Sequence, residues 1–274
     1  NKKSKINRRK MITRRISFND EFEFFLNKFK RKENFNLLRF SDGEFHIMTG
    51  QSISLGNIFV SVGGRLRGIV FHNKWDKKNF RPKQNQEFIR KLIESFRYNS
   101  PEYFVGRNCP CCISKKEWDE ESSLLGHNNT KNITSTNVLL NSNYPNFMKK
   151  FYPEIQKRGA YIICNEMADL SNHNWILGDF RIKTNDFTNL EPIELIKNFI
   201  KKNDIKDKVF LFSASSFSNI AQFELAKEFP GNTYIDIGTT LSYEFKIPAK
   251  RDYLDIFYKN KNIEYRNCKW SQSL

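Results

Sequence analysis

The stretch from Val209 to Ile237 restricts the fold of this chain more than any other. Val209 to Phe212 is an apolar, β-rich run, Phe217 to Phe229 carries apolar residues at helical spacing, and Pro230-Gly231 ends that helix. Thr233 to Ile237 is then a second apolar run. Strand, crossover helix and strand at this spacing form a βαβ unit, which requires parallel pairing and helices on the sheet faces. Tyr161 to Cys164 reads as a further buried strand. Glu191 to Lys202 reads as a helix, with Pro192 in its first turn and Ile193, Ile196, Phe199 and Ile200 along one side. The expected class is α/β, a Rossmann-like parallel sheet flanked by helices.

The first half fits the same frame. Ser17 to Lys32 reads as an amphipathic helix with Phe18, Phe22, Phe25, Leu26 and Phe29 on one face. Phe35 to Phe40 reads as a short buried strand, Glu44 to Thr49 as a helix stopped by Gly50, Gln84 to Phe96 as a helix, and Tyr103 to Val105 as a strand. Leu55 to Gly68, with Gly56, Gly63, Gly64 and Gly68, suggests turns around one strand. Asn128 to Asn146 is dense in Asn, Ser and Thr and predicts a long functional loop. With no internal repeat and no Gly/Ser- or Pro-rich linker, the expectation is one continuous α/β domain over residues 17–274, behind a basic flexible tail over 1–16.

The formal charge is +16, and about half of it belongs to that tail, where Lys2, Lys3, Lys5, Arg8, Arg9, Lys10, Arg14 and Arg15 meet no acid. Such a block binds polyanions, an anionic membrane face among them. No apolar run approaches the ~20 residues of a membrane span, and no apolar h-region follows the basic start. Five cysteines, an odd number, argue against a disulfide framework and for a reducing, cytoplasmic setting with peripheral membrane contact through the tail. Cys109-Pro110-Cys111-Cys112 looks like half of a zinc site. Cys164 and Cys268 lack the spacing of a second knuckle, so no structural zinc is expected.

Three places with chemical potential fall at strand ends, where ligands of parallel sheets bind. The first is Asp42-Gly43-Glu44, just past Arg39. Two carboxylates flanking a glycine can converge on a hard cation, and an arginine adds a fork for phosphate oxygens; acidic pairs on solvated turns are also common. The second is Ser213-Ala214-Ser215-Ser216, where small residues let a helix N-terminus approach a phosphate, or where a serine simply caps the helix. The third is Asp236-Ile237-Gly238, followed by Tyr243-Glu244-Phe245. An acid there can hold a ribose, hold a metal or take a proton, or it can cap the following turn. His46, His72, His127 and His173 lack metal-ligand spacing and read as structural. Trp75, Trp175 and Tyr243 offer faces for stacking, though most aromatics of this chain belong to the core. No Walker A loop, Gly-x-Gly-x-x-Gly fingerprint or Gly-x-Ser-x-Gly elbow is present.

Arg39-Phe40-Ser41-Asp42-Gly43-Glu44-Phe45 resembles the Arg-x-x-Asp-Gly-Glu signature of the GT-D-type glycosyltransferases, with Ser41 where glycine is common. Tyr234-Ile235-Asp236-Ile237-Gly238 with Tyr243-Glu244-Phe245 is similar to that family's Asp-Ile-Gly segment. Ile133-Thr134-Ser135-Thr136 with Asn143-Tyr144 more loosely resembles a middle segment. The resemblance runs in order from about Asn19 to Tyr258. It implies a Rossmann-like fold and transfer of a sugar from a nucleotide-diphosphate sugar, a UDP-sugar foremost, to a glycan, glycoprotein or lipid-linked acceptor. It further implies Mn²⁺ or Mg²⁺ on Asp42 and Glu44. Arg39, Asp42, Glu44, Thr136, Ser213, Ser215 and Ser216 would bind the donor, and Asp236 or Glu244 would serve as catalytic base. Two competing readings are a nucleic-acid-binding protein, which explains the charge but not the acidic pair, and a Rossmann-like methyltransferase, which lacks the glycine-rich loop after a first strand.

Overall fold

The computed structural model describes residues 17–55, 59–69, 78–126 and 132–268. The basic tail, His72, Trp75 and His127 lie outside these residues. Helix α1 (Phe18–Lys30) starts on a reciprocal Ser17–Asp20 cap and buries Phe22, Phe25, Leu26 and Phe29. It leads into β1 (Asn36–Arg39), whose Leu37 and Leu38 are fully buried on opposite faces. Next come α2 (Asp42–Met48), the strands β2 (Ile53–Leu55), β3 (Phe59–Val62), β4 (Arg65–Ile69) and β5 (Lys78–Phe80), and α3 (Gln86–Arg97). β6 (Tyr103–Arg107), α4 (Lys115–Leu125) and β7 (Ile133–Ser135) close the first half. A short α5 (Tyr144–Asn146) runs through a π-turn, Phe147–Phe151, into α6 (Tyr152–Arg158). β8 (Ala160–Asn165), β9 (Ile176–Ile182), α7 (Glu191–Lys202), β10 (Val209–Ser213), α8 (Phe217–Glu228), β11 (Thr233–Asp236) and α9 (Asp252–Lys259) follow.

Seven strands form one parallel sheet in the order β7-β6-β1-β11-β10-β8-β9. In its interior Leu37 stands opposite both Phe104 of β6 and Ile235 of β11. One face packs Phe88 and Leu92 of α3, Ile196 of α7 and Ile220 of α8. The other packs α1, Phe147, Phe151, Ile155 of α6 and Leu254 of α9. The fold class expected from the sequence is therefore present, a parallel α/β sheet covered on both faces.

Several details differ from the sequence reading. Residues 53–80 hold a separate four-stranded antiparallel sheet, β4-β3-β2-β5, rather than turns around one strand. β9 is an added edge strand whose burial alternates along its length, so it shows no continuous apolar run. The described part of the stretch expected to be a long loop is edge strand β7, a largely buried turn and the short helix α5. Several of its polar residues are bonded inward: Thr134 Oγ1 donates to Glu21 at 2.9 Å, and Asn143 Nδ2 donates to the carbonyls of Phe18 (3.0 Å) and Val138 (2.9 Å). No helix among the described residues is long and apolar enough to cross a membrane.

Candidate active site

The carboxyl ends of β1, β10 and β11 open into a cleft of about 870 Å³. Arg39, Ser41, Asp42, Glu44, Thr136, Ser213, Ser215 and Asp236 all line it, so the structure gathers most of the residues singled out in the sequence.

Arg39 ends β1 and stays nearly buried, its side chain 11% exposed. Its Nε donates to the carbonyl of Thr136, and its own carbonyl accepts from Asn219 Nδ2 at 2.9 Å. Nη1 lies 3.8 Å from Asp236 Oδ1, the same oxygen that accepts from the Gly238 amide at 2.7 Å. Burial pushes the Asp236 carboxyl up to about 7, with Arg39 and the Gly238 amide working against that shift. The group therefore changes charge near neutral pH. Gly238 has φ +51°, and a Cβ there would lie 1.8 Å from Arg39 Nη1. The glycine of Asp-Ile-Gly is thus the surface over which the guanidinium passes to reach Asp236.

The acidic pair behaves differently from the sequence expectation. Asp42 and Glu44 occupy the first turn of α2, and residues two apart on a helix diverge by about 200°. Asp42 is exposed on the cleft wall. Glu44 is buried, and both of its oxygens are bonded. Oε2 accepts from Ser41 N (3.0 Å) and Oγ (2.6 Å), and Oε1 accepts from Ser216 Oγ at 2.7 Å. Its charge sits at the start of its own helix and against the start of α8, where both backbone dipoles favour an anion. Glu44 joins the two elements, while Asp42 offers its oxygens to the cleft.

Ser213 Oγ donates to the Gly238 carbonyl at 2.7 Å and so holds the β10 and β11 ends together. Ser215 takes a left-handed conformation, φ +55°, as the chain turns into α8. Ser216 is spent on Glu44. Thr136 is 1% exposed, and its Oγ1 has no hydrogen-bond partner among the described residues. Glu244 is not among the lining residues. Its carboxylate accepts from Tyr258 OH at 2.8 Å, and its carbonyl contacts His173 Nε2 at 3.1 Å. Of the two candidate bases, only Asp236 reaches the cleft.

Sequence reasoning missed Asn165 and Thr184 on the far wall, Lys250 and Arg251 before α9, and Glu264 and Arg266 near the chain's end, all of which line the cleft. The Lys250-Arg251 pair just after Pro248 was the available signal. Asn165 ends β8, and Thr184 follows the carboxyl end of the unrecognised edge strand β9. Four cysteines also meet on the β6 side of the cleft, where Cys112 lines it. The sulfurs of Cys109, Cys111, Cys112 and Cys268 lie within 4.8 Å of one another, so Cys268 joins the cluster despite its distance in sequence.

No family model matches the sequence, and no curated protein matches it. Solved structures do share the fold. One, described as a highly conserved domain of unknown function 1792 with a distinct glycosyltransferase fold, is 16% identical over 89% of each chain, with a TM-score of 0.51. Another, described as a new glycosyltransferase of the same domain type from Streptococcus sanguinis, is 17% identical over 90% of this chain and 93% of that one, with a TM-score of 0.52. At such identity the likeness establishes the fold.

Proposed function

We propose that this protein transfers a sugar from a nucleotide-diphosphate sugar, a UDP-sugar foremost, to a hydroxyl of a glycan, glycoprotein or lipid-linked acceptor. The observation that carries this reading is the convergence of Arg39, Asp42, Ser215 and Asp236 on one cleft at the carboxyl edge of the sheet. The glycosyltransferase description of the structural neighbours supports it.

The residues fit a divalent cation in a particular way. Of the acidic pair, Asp42 offers an exposed hard carboxylate, while Glu44 is fully engaged by Ser41 and Ser216. A single carboxylate suits Mg²⁺ or Mn²⁺, ions that keep several waters and share their coordination with substrate phosphates. Such an ion, when bound, neutralises charge on the leaving diphosphate. Arg39 and the start of α8 add donors on the same side. In the transfer, the acceptor oxygen bonds to the anomeric carbon, the bond from that carbon to the diphosphate breaks, and the hydroxyl proton passes to Asp236. A carboxylate that titrates near 7 is suited to that proton.

Calorimetric titration of UDP, GDP and their common sugars, with Mn²⁺ and with EDTA, tests the reading. Cation-dependent binding of one nucleotide, lost in Asp42→Ala, is the expected result. A folded wild-type chain that binds none of them under any condition overturns the proposal.

A further inference from the structure

The turn between β6 and α4 carries Cys109-Pro110-Cys111-Cys112, which sugar transfer leaves unused. The end of the described chain returns to it. Ser142 N–H donates to the Arg266 carbonyl at 3.1 Å, and Cys268, two residues on, is buried against the turn. Sulfur separations are 2.7 Å for Cys109–Cys111, 3.1 Å for Cys109–Cys112 and 3.9 Å for Cys111–Cys112. All four sulfurs fall within 4.8 Å of one another.

Four sulfurs about 2.3 Å from one ion define a tetrahedron with edges of about 3.8 Å. Cys109 and Cys111 need to part by about 1 Å to match it, a small rearrangement in a surface turn. The surroundings suit thiolates. Asn141 Nδ2 points at Cys268 Sγ from 3.5 Å, and Asn137 Nδ2 lies 3.7 Å from Cys268 Sγ and 4.0 Å from Cys112 Sγ. Amide donors around sulfur are the outer partners that metal-bound thiolates use. Cys111 is exposed while Cys109 and Cys268 are buried, so the cluster has both a mouth and a closed floor. A disulfide joins sulfurs only in pairs and gathers none of these four around a common centre. One soft ion uses all four.

We infer that Cys109, Cys111, Cys112 and Cys268 form a four-thiolate site for a single Zn²⁺, which ties the C-terminal segment to the wall of the cleft. Cys112 and Arg266 both line that cleft, so the ion braces one side of it. The inference stands apart from sugar transfer, because its ligands are soft sulfurs and Asp42 is not among them.

The test uses the full chain, grown with zinc and purified under reducing conditions. Elemental analysis is expected to find one zinc per chain. Exchange with Co²⁺ should give thiolate-to-cobalt charge-transfer absorption with the strong visible bands of a tetrahedral site. Cys111→Ser, a surface change that preserves the core, and Cys268→Ser should each weaken zinc binding at least tenfold in competition with a chromophoric chelator. Asp42→Ala should keep its full zinc, so loss of nucleotide binding and loss of zinc are separately visible. A folded, reduced wild-type chain with neither zinc nor a cobalt–thiolate band overturns the inference. So does iron in place of zinc, or a Cys268 disulfide found by peptide mapping.

Discussion

A methyl group has no room at residue 238. Gly238→Ala places a Cβ 1.8 Å from Arg39 Nη1 and asks alanine to hold φ +51°, a conformation that costs roughly 1–2 kcal/mol for a residue with a side chain. The guanidinium must leave Asp236, so the expected result is a melting temperature lower by several degrees and nucleotide binding at least tenfold weaker, read by thermal unfolding and calorimetry. Asp236 carries its own prediction. Its folded carboxyl titrates near 7 against an ordinary 3.8, so between those values the folded state holds a proton that the unfolded state has released. The resulting stability is complete below about pH 4 and lost as pH rises through 7, amounting to a few kcal/mol at about 1.4 per unit. Denaturant midpoints at pH 5 and pH 8 should therefore fall more steeply for wild type than for Asp236→Asn. Equal slopes would show that Asp236 does not titrate between pH 5 and pH 8.

At the scale of elements, Glu44 links the first turn of α2 to the start of α8. Ser216→Ala removes one donor and leaves a buried carboxylate oxygen unmatched, which costs about 1–3 kcal/mol. Asp42→Ala, at an exposed position, should change stability by less than about 0.5 kcal/mol. Binding should show the reverse order: Asp42→Ala abolishes cation-dependent nucleotide binding, while Ser216→Ala keeps it within about tenfold once folded. Stability and binding measured on both variants decide whether the pair divides its work in this way. The same helix start shows where sequence reading reached its limit. Arg39, Asp42, Ser215 and Asp236 were legible because apolar strands β1, β10 and β11 each end at a small or charged residue. The divergence of Asp42 and Glu44 was not, because their expected convergence assumed a turn where the chain begins a helix. β9 escaped notice because Leu177, Asp179 and Arg181 alternate with its inward residues. The four-cysteine cluster escaped because proximity of Cys268 to Cys109 arises only from the path of the chain's end.

For the whole molecule, the position of β1 sets the terms of folding. β1 lies inside the sheet, third from the β7 edge, between β6, reached about 65 residues later, and β11, where Asn36 pairs with Tyr234. Leu37 and Leu38 have no solvent exposure because strands from both halves of the chain flank β1 and helices from both halves cover its two faces. Closing so long a loop before its contacts form is entropically expensive, so pairing of β1 with β11 belongs late in folding, and the full chain should refold in milliseconds to seconds or slower. A chain ending at Arg158 would keep α1, β1, β6 and β7 but leave one edge of β1 unpaired and the face under α8 open. That fragment should lack a cooperative thermal transition and the protected β1 amides of the full chain in hydrogen exchange, whereas the full chain should unfold in one step. A cooperatively folded 1–158 fragment would show that the first half closes its own core, and the reading of residues 17–274 as one folding unit would fall with that result.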